Sequence, residues 1–140
     1  MTLVTLTKKN FENYGTLLQH GVHQQPNGYE KIAVMPSNGW IWALMTINNK
    51  SIEQLECHPN TRESFEPLTG TTVIVVALYN EPNSYQAFLL DVPILLNKGI
   101  WHQVMCISES ASFKIVENNE VATEFYTLQS PLKLIVSSVY

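Results

Sequence analysis

Thr71-Thr-Val-Ile-Val-Val-Ala-Leu-Tyr79 holds one of the longest apolar runs in the chain, and its reading decides the fold. From Val73 onward there is no polar residue, and β-branched side chains dominate, as a pleated surface favours. The run is bounded by turn-forming stretches, Pro67-Leu-Thr-Gly70 before it and Asn80-Glu-Pro-Asn-Ser84 after it. Its length and boundaries suit a strand rather than a helix. Because it is apolar on both faces, it fits a strand held between a core and a second layer, or at a subunit interface.

Outward from this run the same pattern repeats. Candidate strands are Gly39 to Ile47, Ser51 to Cys57, Thr71 to Tyr79, Gln86 to Leu90, Trp101 to Ile107, Phe113 to Glu117, Glu124 to Leu128 and Lys133 to Val139. Between them lie further turn signals: Pro36-Ser-Asn-Gly39, Asn48-Asn-Lys50, Asn97-Lys-Gly99 and Asn118-Asn119. Their spacing is close to the roughly 8–12 residues of a sandwich or barrel. An all-β fold follows, and a closed barrel is favoured because closure removes exposed strand edges. One short helix is expected, with Thr7 as cap, Asn10-Phe-Glu-Asn-Tyr14 as about one turn and Gly15 as the stop. No repeat, linker or low-complexity stretch divides the 140 residues, which suit one domain spanning 1–140.

The charge content is low, 14% of residues, which argues against disorder and coiled coil. Eight basic and twelve acidic residues give a net charge of −4 with no basic block, so nucleic acid is not an expected partner. No apolar run approaches the ~20 residues of a membrane helix, so no membrane partner is expected. The opening Met1-Thr-Leu-Val-Thr-Leu-Thr-Lys-Lys-Asn10 does not read as a signal peptide. Cys57 and Cys106 are too few for a disulfide framework. They are expected as reduced thiols, packed as small hydrophobes in a cytoplasmic protein.

The polar residues that could carry chemistry cluster at Ile52-Glu-Gln-Leu-Glu-Cys-His58. In a strand, Glu56 and His58 point to the same face. Glu63 and Gly70 follow, and later Asn97-Lys-Gly-Ile-Trp-His102, where a tight turn at Gly99 delivers His102 into the next strand. These spacings resemble the two motifs of the cupin superfamily. Glu56 stands where the first motif has its first histidine, and His58, Glu63 and Gly70 occupy its remaining places. Asn97 replaces the proline of the second motif, with Gly99 and His102 in place.

Three longer stretches resemble one cupin branch, the ureidoglycolate lyase (ureidoglycolate hydrolase) family. They are Leu6-Thr-Lys-Lys-Asn-Phe-Glu-Asn-Tyr-Gly15, then Leu55-Glu-Cys-His-Pro59 with Ser64-Phe-Glu-Pro-Leu-Thr-Gly70, and Lys98-Gly-Ile-Trp-His102. The resemblance spans roughly residues 3–117. It departs at Cys57, where the family often has arginine, but alternation turns Cys57 away from Glu56 and His58.

The resemblance implies a cupin-like double-stranded β-helix (jelly-roll) barrel with a short N-terminal helix. It also implies a carbon–nitrogen lyase splitting ureidoglycolate, or a similar small 2-hydroxy acid derivative, to glyoxylate and urea, within allantoin degradation and purine metabolism. Glu56, His58 and His102 are the implied catalytic groups, and Glu63 and Lys98 the implied contacts to a small carboxylate substrate. Glu56, His58, Glu63 and His102 form a mixed nitrogen and oxygen set that suits one divalent ion such as Ni, Mn, Zn or Fe. No organic cofactor is expected. The plainer alternatives are a hydrogen-bonded Glu56–His58 pair, a solvated Glu63 and a solvated turn lysine at Lys98. Trp40 and Trp42 share a strand face and are expected in the core. Phe65 and Trp101 are expected as packing residues, with Trp101 facing opposite to His102. His20 and His23, three apart in a loop, are expected at the surface. Two other functions fit a cupin: a non-catalytic domain sensing a small carboxylate or sugar, and a sugar isomerase. The run 73–79 and the tail Leu132 to Tyr140 suggest a homodimer.

Overall fold

The structure is a computed structural model that describes residues 1–21, 26, 31–33 and 39–134. Its strands are β1 (Leu3–Val4), β2 (Gly15–Leu17), β3 (Trp40–Ile47), β4 (Ser51–Cys57), β5 (Glu63–Thr69) and β6 (Thr72–Ala77), then β7 (Gln86–Leu89), β8 (Ile94–Leu96), β9 (Trp101–Cys106), β10 (Ala111–Asn118) and β11 (Glu124–Lys133). They form two sheets, one ordered β1-β7-β6-β9-β4-β11 and the other β2-β8-β5-β10-β3. From β3 onward the chain passes repeatedly from one sheet to the other, which is the winding of a jelly roll.

Helix α1 (Lys8–Phe11) is a single turn, capped as the sequence implies: the Thr7 hydroxyl accepts from the Asn10 backbone N–H at 3.0 Å. Gly15 does not follow the helix as a stop but opens β2. Its position is forced, since a Cβ there would lie 2.0 Å from the Leu95 carbonyl oxygen. Phe11, fully buried, packs edge-on against Phe88 with ring centroids 5.2 Å apart.

Two apolar layers follow from strand alternation. Between the sheets, Ile74, Val76 and Val104 of one sheet meet Phe65, Phe113 and Ile115 of the other. On the outer face of the six-stranded sheet, Ile52, Leu55, Cys57, Val73, Val75, Ala77, Trp101 and Met105 form a second buried cluster. That second layer explains the two-sided apolar character of β6, all six residues of which are buried. The face on which the sequence reading built a dimer is therefore covered within the chain itself. Trp101 faces this outer layer, opposite to His102, as alternation requires.

Trp40 and Trp42 correct the sequence reading. They share a face, their rings 5.0 Å apart, but that face is outward: they are 57% and 68% exposed. The reason is position. β3 is an edge strand, and its inward face is supplied by the alternate residues, with Ala43 and Ile47 packed against the core.

The segment 63–69 also differs from expectation. Read as turn-rich because of Pro67, it forms β5, between β8 and β10. The β10–β5 register shifts between Ser112 and Phe113, where Phe113 faces Pro67 and Ser112 faces Thr69. A ladder irregularity is where a strand tolerates proline. The turn itself is shorter, closing at Gly70 with φ of 70°. His23 and residues 135–140 of the apolar tail lie outside the described residues.

Candidate active site

Four strands deliver acids and imidazoles to one place inside the barrel. Glu56 on β4 lies directly across from His102 on β9. His58 follows β4 at once, and its carbonyl accepts the Gly99 N–H at 3.1 Å, which ties the β8–β9 turn to the end of β4. Gly99 takes φ of 74°, a value that side-chain-bearing residues avoid. From the other sheet, Glu63 opens β5 and pairs in register with Glu117 near the end of β10. Both lie on the face shared by Phe65, Phe113 and Ile115, hence inward.

The geometry is tight. His58 Nε2 lies 3.0 Å and His102 Nε2 3.1 Å from the same Glu63 Oε2. Glu56 Oε1 lies 3.6 Å from His102 Nε2 and 3.9 Å from His58 Nε2. The two imidazole centroids are 5.1 Å apart, and the Phe65 ring stands edge-on to His102 at 5.7 Å. Phe65 is thus both core and wall of the site. His58, Glu63 and His102 are buried, whereas the Glu56 side chain keeps 31% exposure and marks the mouth.

Each imidazole is oriented from behind. His102 Nδ1 lies 2.9 Å from the Ile100 carbonyl, and His58 Nδ1 lies 3.2 Å from the Ala122 carbonyl and 3.2 Å from Thr123 Oγ1. Asn60 holds that backing loop through the Glu120 carbonyl at 3.0 Å and the Ala122 N–H at 2.9 Å. With Nδ1–H spent on carbonyls, both Nε2 atoms are directed at the carboxylates.

Charge coupling outweighs desolvation. Burial works against the ionised Glu63, yet His102 and His58 hold its carboxyl down at about 2. Burial likewise opposes charge on His102, and Glu56 and Glu63 overcome it, raising that imidazole to about 10. His58 is also raised: burial lowers it, but Glu63 more than compensates. Glu117 is raised by burial first and then by Glu63.

The donor set fits a divalent ion. Ligands bonded at about 2.1 Å and at right angles to one another sit about 3 Å apart, and both Nε2-to-Oε2 separations have that value. Though 3.0 and 3.1 Å from the imidazoles, Glu63 Oε2 has no aligned hydrogen-bond partner, and neither does His102 Nε2; with the imidazoles protonated their attraction is ionic, and with them deprotonated the Nε2 lone pairs are free for an ion. Glu56, His58 and His102 form one group of donor atoms within 4.8 Å of each other, and His58, Glu63 and Glu117 form a second.

The structure therefore brings together Glu56, His58, Glu63 and His102 and leaves Lys98 apart. Lys98 is exposed in the β8–β9 turn, and among the described residues no ion pair links it to the cluster. Glu63 is 5% exposed rather than solvated. His20 lies at the surface, where it lines a separate cleft of about 580 Å³ with Lys8, Glu12 and Lys31, and none of the four cluster residues borders that cleft. Cys57 faces the outer apolar layer and is fully buried, so its presence leaves the inward face unchanged. Glu117 was not singled out from sequence, although the alternation Phe113-x-Ile115-x-Glu117 places it on the inward face.

Two sheets wound as a jelly roll around a histidine–glutamate cluster define a cupin-type barrel. The chain belongs to the ureidoglycolate lyase family, whose model matches residues 1–134. Among solved structures, it is similar to Bacillus subtilis oxalate decarboxylase in a study of that protein's Mn(II) centers, at 20% identity and a TM-score of 0.52, covering 61% of this chain and 23% of that one. An arginine-to-alanine variant of the same enzyme matches at 20% identity and a TM-score of 0.51, again covering 61% and 23%. This chain spans about a quarter of the length of those chains. Among curated protein sequences, none matches significantly.

Proposed function

We propose that the protein is a lyase that splits ureidoglycolate, or a closely related 2-hydroxy acid derivative, into glyoxylate and urea. The observation that carries this reading is the convergence of two imidazoles on Glu63 with Glu56 alongside, in a chain of this family.

Cleavage moves one proton and breaks one bond. The substrate hydroxyl loses its proton as the aldehyde carbonyl forms, the carbon–nitrogen bond breaks, and the departing urea nitrogen gains a proton. Glu56, the solvent-reaching carboxylate at the mouth, accepts the hydroxyl proton. An imidazolium at His102 or His58, kept protonated by Glu63, donates to the leaving nitrogen. With Glu56 and Glu63 both ionised the two imidazoliums are balanced, so the substrate carboxylate is anchored by a direct charge-assisted hydrogen bond from one imidazolium, and exposed Lys98 stands apart from the cluster. Burial strengthens these interactions by excluding water.

Glu56, His58, Glu63 and His102 are the residues that would hold a divalent ion, which when bound would polarise the substrate's oxygens. An Nε2 atom cannot bind an ion and carry a proton together, so in that form Glu56 both takes the hydroxyl proton and returns it to nitrogen. Manganese, iron, nickel and zinc all suit the donor set. The reading includes one cupin-like domain over 1–140, a cytoplasmic setting, supported by two free buried cysteines, and a homodimer, supported by exposed Trp40, Trp42 and Leu44 on edge strand β3.

Incubation with ureidoglycolate, with and without each ion, tests the reading. Glyoxylate and urea should appear in equal amounts, and H102A and E56A should lower the rate by about 100-fold or more. Tight binding of the compound without turnover would instead mark a sensor.

A further inference from the structure

The mechanism leaves one half-buried acid of the barrel unused. Glu117 lies directly across from Glu63 on the neighbouring strand, facing inward. Like charges placed directly opposite each other repel and weaken a sheet. Glu63 has His58 and His102 to balance it, but among the described residues no hydrogen bond or ion pair reaches the Glu117 side chain. Its Oε2 is buried and without a partner, although one of its carboxylate oxygens shares a 4.8 Å group with His58 and Glu63. Glu63 Oε2, His102 Nε2 and Glu117 Oε2 are the buried side-chain atoms that lack a partner among the described residues, and all three belong to this cluster. Glu63 is 5% exposed, so its Oε2 is met by the two imidazoles and not by bulk solvent. Of the three, Glu117 Oε2 is the acceptor with no charged partner in ion-pair reach among the described residues, and a buried acceptor left open marks a place for a donor that arrives with a ligand.

We infer that Glu117 is a specificity-determining residue that accepts the N–H donors of the substrate's ureido group. This rests on the lyase reading above and extends it to the nitrogen end of the substrate. A ureido group presents N–H bonds from its inner and terminal nitrogens on one edge, and a carboxylate with two oxygens accepts such a pair side by side. The division of labour follows. The imidazoles and Glu56 face the 2-hydroxy acid and the carbon–nitrogen bond that breaks, where a base, an acid and positive charge are needed. Glu117 faces the urea, whose nitrogens need an acceptor. A substrate lacking those N–H groups would leave the Glu117 carboxylate unpaired, which is how a polar pocket rejects a near neighbour.

The two products separate the two ends, so product inhibition is the test. In E117Q, KM for ureidoglycolate and the inhibition constant for urea should each rise by about tenfold, while the inhibition constant for glyoxylate stays within twofold of wild type and metal content after loading is unchanged. E117Q removes the repulsion with Glu63, so its melting temperature should equal or exceed that of wild type, an outcome a purely structural role would not give. E117D, which keeps the charge but shortens the reach, should fall between. The inference is overturned if the urea and KM values of E117Q match wild type, if both product constants move together, or if E117Q loses bound metal. An inactive wild type defeats the lyase reading itself, and the ureido assignment with it. An active wild type with an indifferent E117Q defeats the assignment alone.

Discussion

Replacing Glu63 by glutamine removes a charge and almost nothing else. The side chain keeps its length and volume, and two buried imidazoles lose the anion between them. The size of the effect follows from how far the site depresses this carboxyl, from 4.5 to about 2. At about 1.4 kcal/mol per unit, that is about 3 kcal/mol of folding stability. The side chain is 6% exposed, so solvent screening takes little from this figure. The raised imidazoles describe the same attraction from the other side and are not added to it. The value agrees with the roughly 3–5 kcal/mol lost when one partner of a buried ion pair is removed.

The loss should depend on pH in a definite sense. A depressed carboxyl contributes fully above 4.5 and loses its contribution as pH falls through about 2. A raised imidazole contributes fully below 6.5 and loses its contribution as pH rises through about 10. The gap between wild type and E63Q is therefore widest between about pH 4.5 and 6.5 and narrows on both sides. Urea unfolding of both proteins under chelator, at pH 3, 5.5 and 9, measures it. A gap of about 3 kcal/mol at pH 5.5 that shrinks at both extremes agrees with the charge argument. E63Q as stable as wild type at pH 5.5, or a deficit equal at all three values, refutes it.

Ion binding must displace protons from the raised imidazoles, so affinity for Mn, Ni or Zn should increase between pH 6 and 8. Calorimetry in buffers of different ionisation enthalpy should show heats that vary with the buffer, and buffer-independent heats would contradict the protonated histidines. At concentrations low enough to keep the chain monomeric, Trp42→Ser should change stability by no more than about 0.5 kcal/mol, as for an exposed side chain, whereas a core tryptophan would cost about 3–5 kcal/mol; thermal unfolding decides. Burial, and then the charge of Glu124, push the Cys57 thiol up to about 11. Iodoacetamide at pH 8 should therefore label native Cys57 at least 100-fold more slowly than the unfolded chain, and equal rates would place Cys57 outside the apolar layer.

What the sequence revealed was local. A run of β-branched residues marked β6, and short apolar stretches between turn signals marked β4 and β9, because strand preference and period-2 alternation are properties of neighbouring residues. The same alternation put Glu56 and His58 on one face and turned Trp101 and Cys57 to the other. It could not say which face of β3 would be covered, because that depends on a neighbour on one side only, β10, fixed by long-range pairing. Hence Trp40 and Trp42 were paired correctly and buried wrongly. Pro67 hid β5 for a related reason: proline reads as a turn unless the register irregularity opposite Ser112 and Phe113 is known. β2, β8 and β1 are two or three residues long and exist only through their pairings.

The site divides along the same line. His58 and His102 were visible because motif spacing constrains them, and Glu63 because it follows His58 at a set interval. Glu117 belongs to no spacing. Alternation along β10 turns it inward, but what marks it out is an acceptor oxygen buried without a donor and set against a like charge. A chain selected only for stability would replace such a residue, since glutamine or an apolar side chain there removes both penalties. Local rules are broken in a folded protein where something other than folding needs the group. The three unpartnered buried atoms among the described residues meet in this one cluster. The conflict with stability and the proposed chemistry thus occupy the same few ångströms, and an E117Q protein more stable yet poorer at holding urea would show that the first exists because of the second.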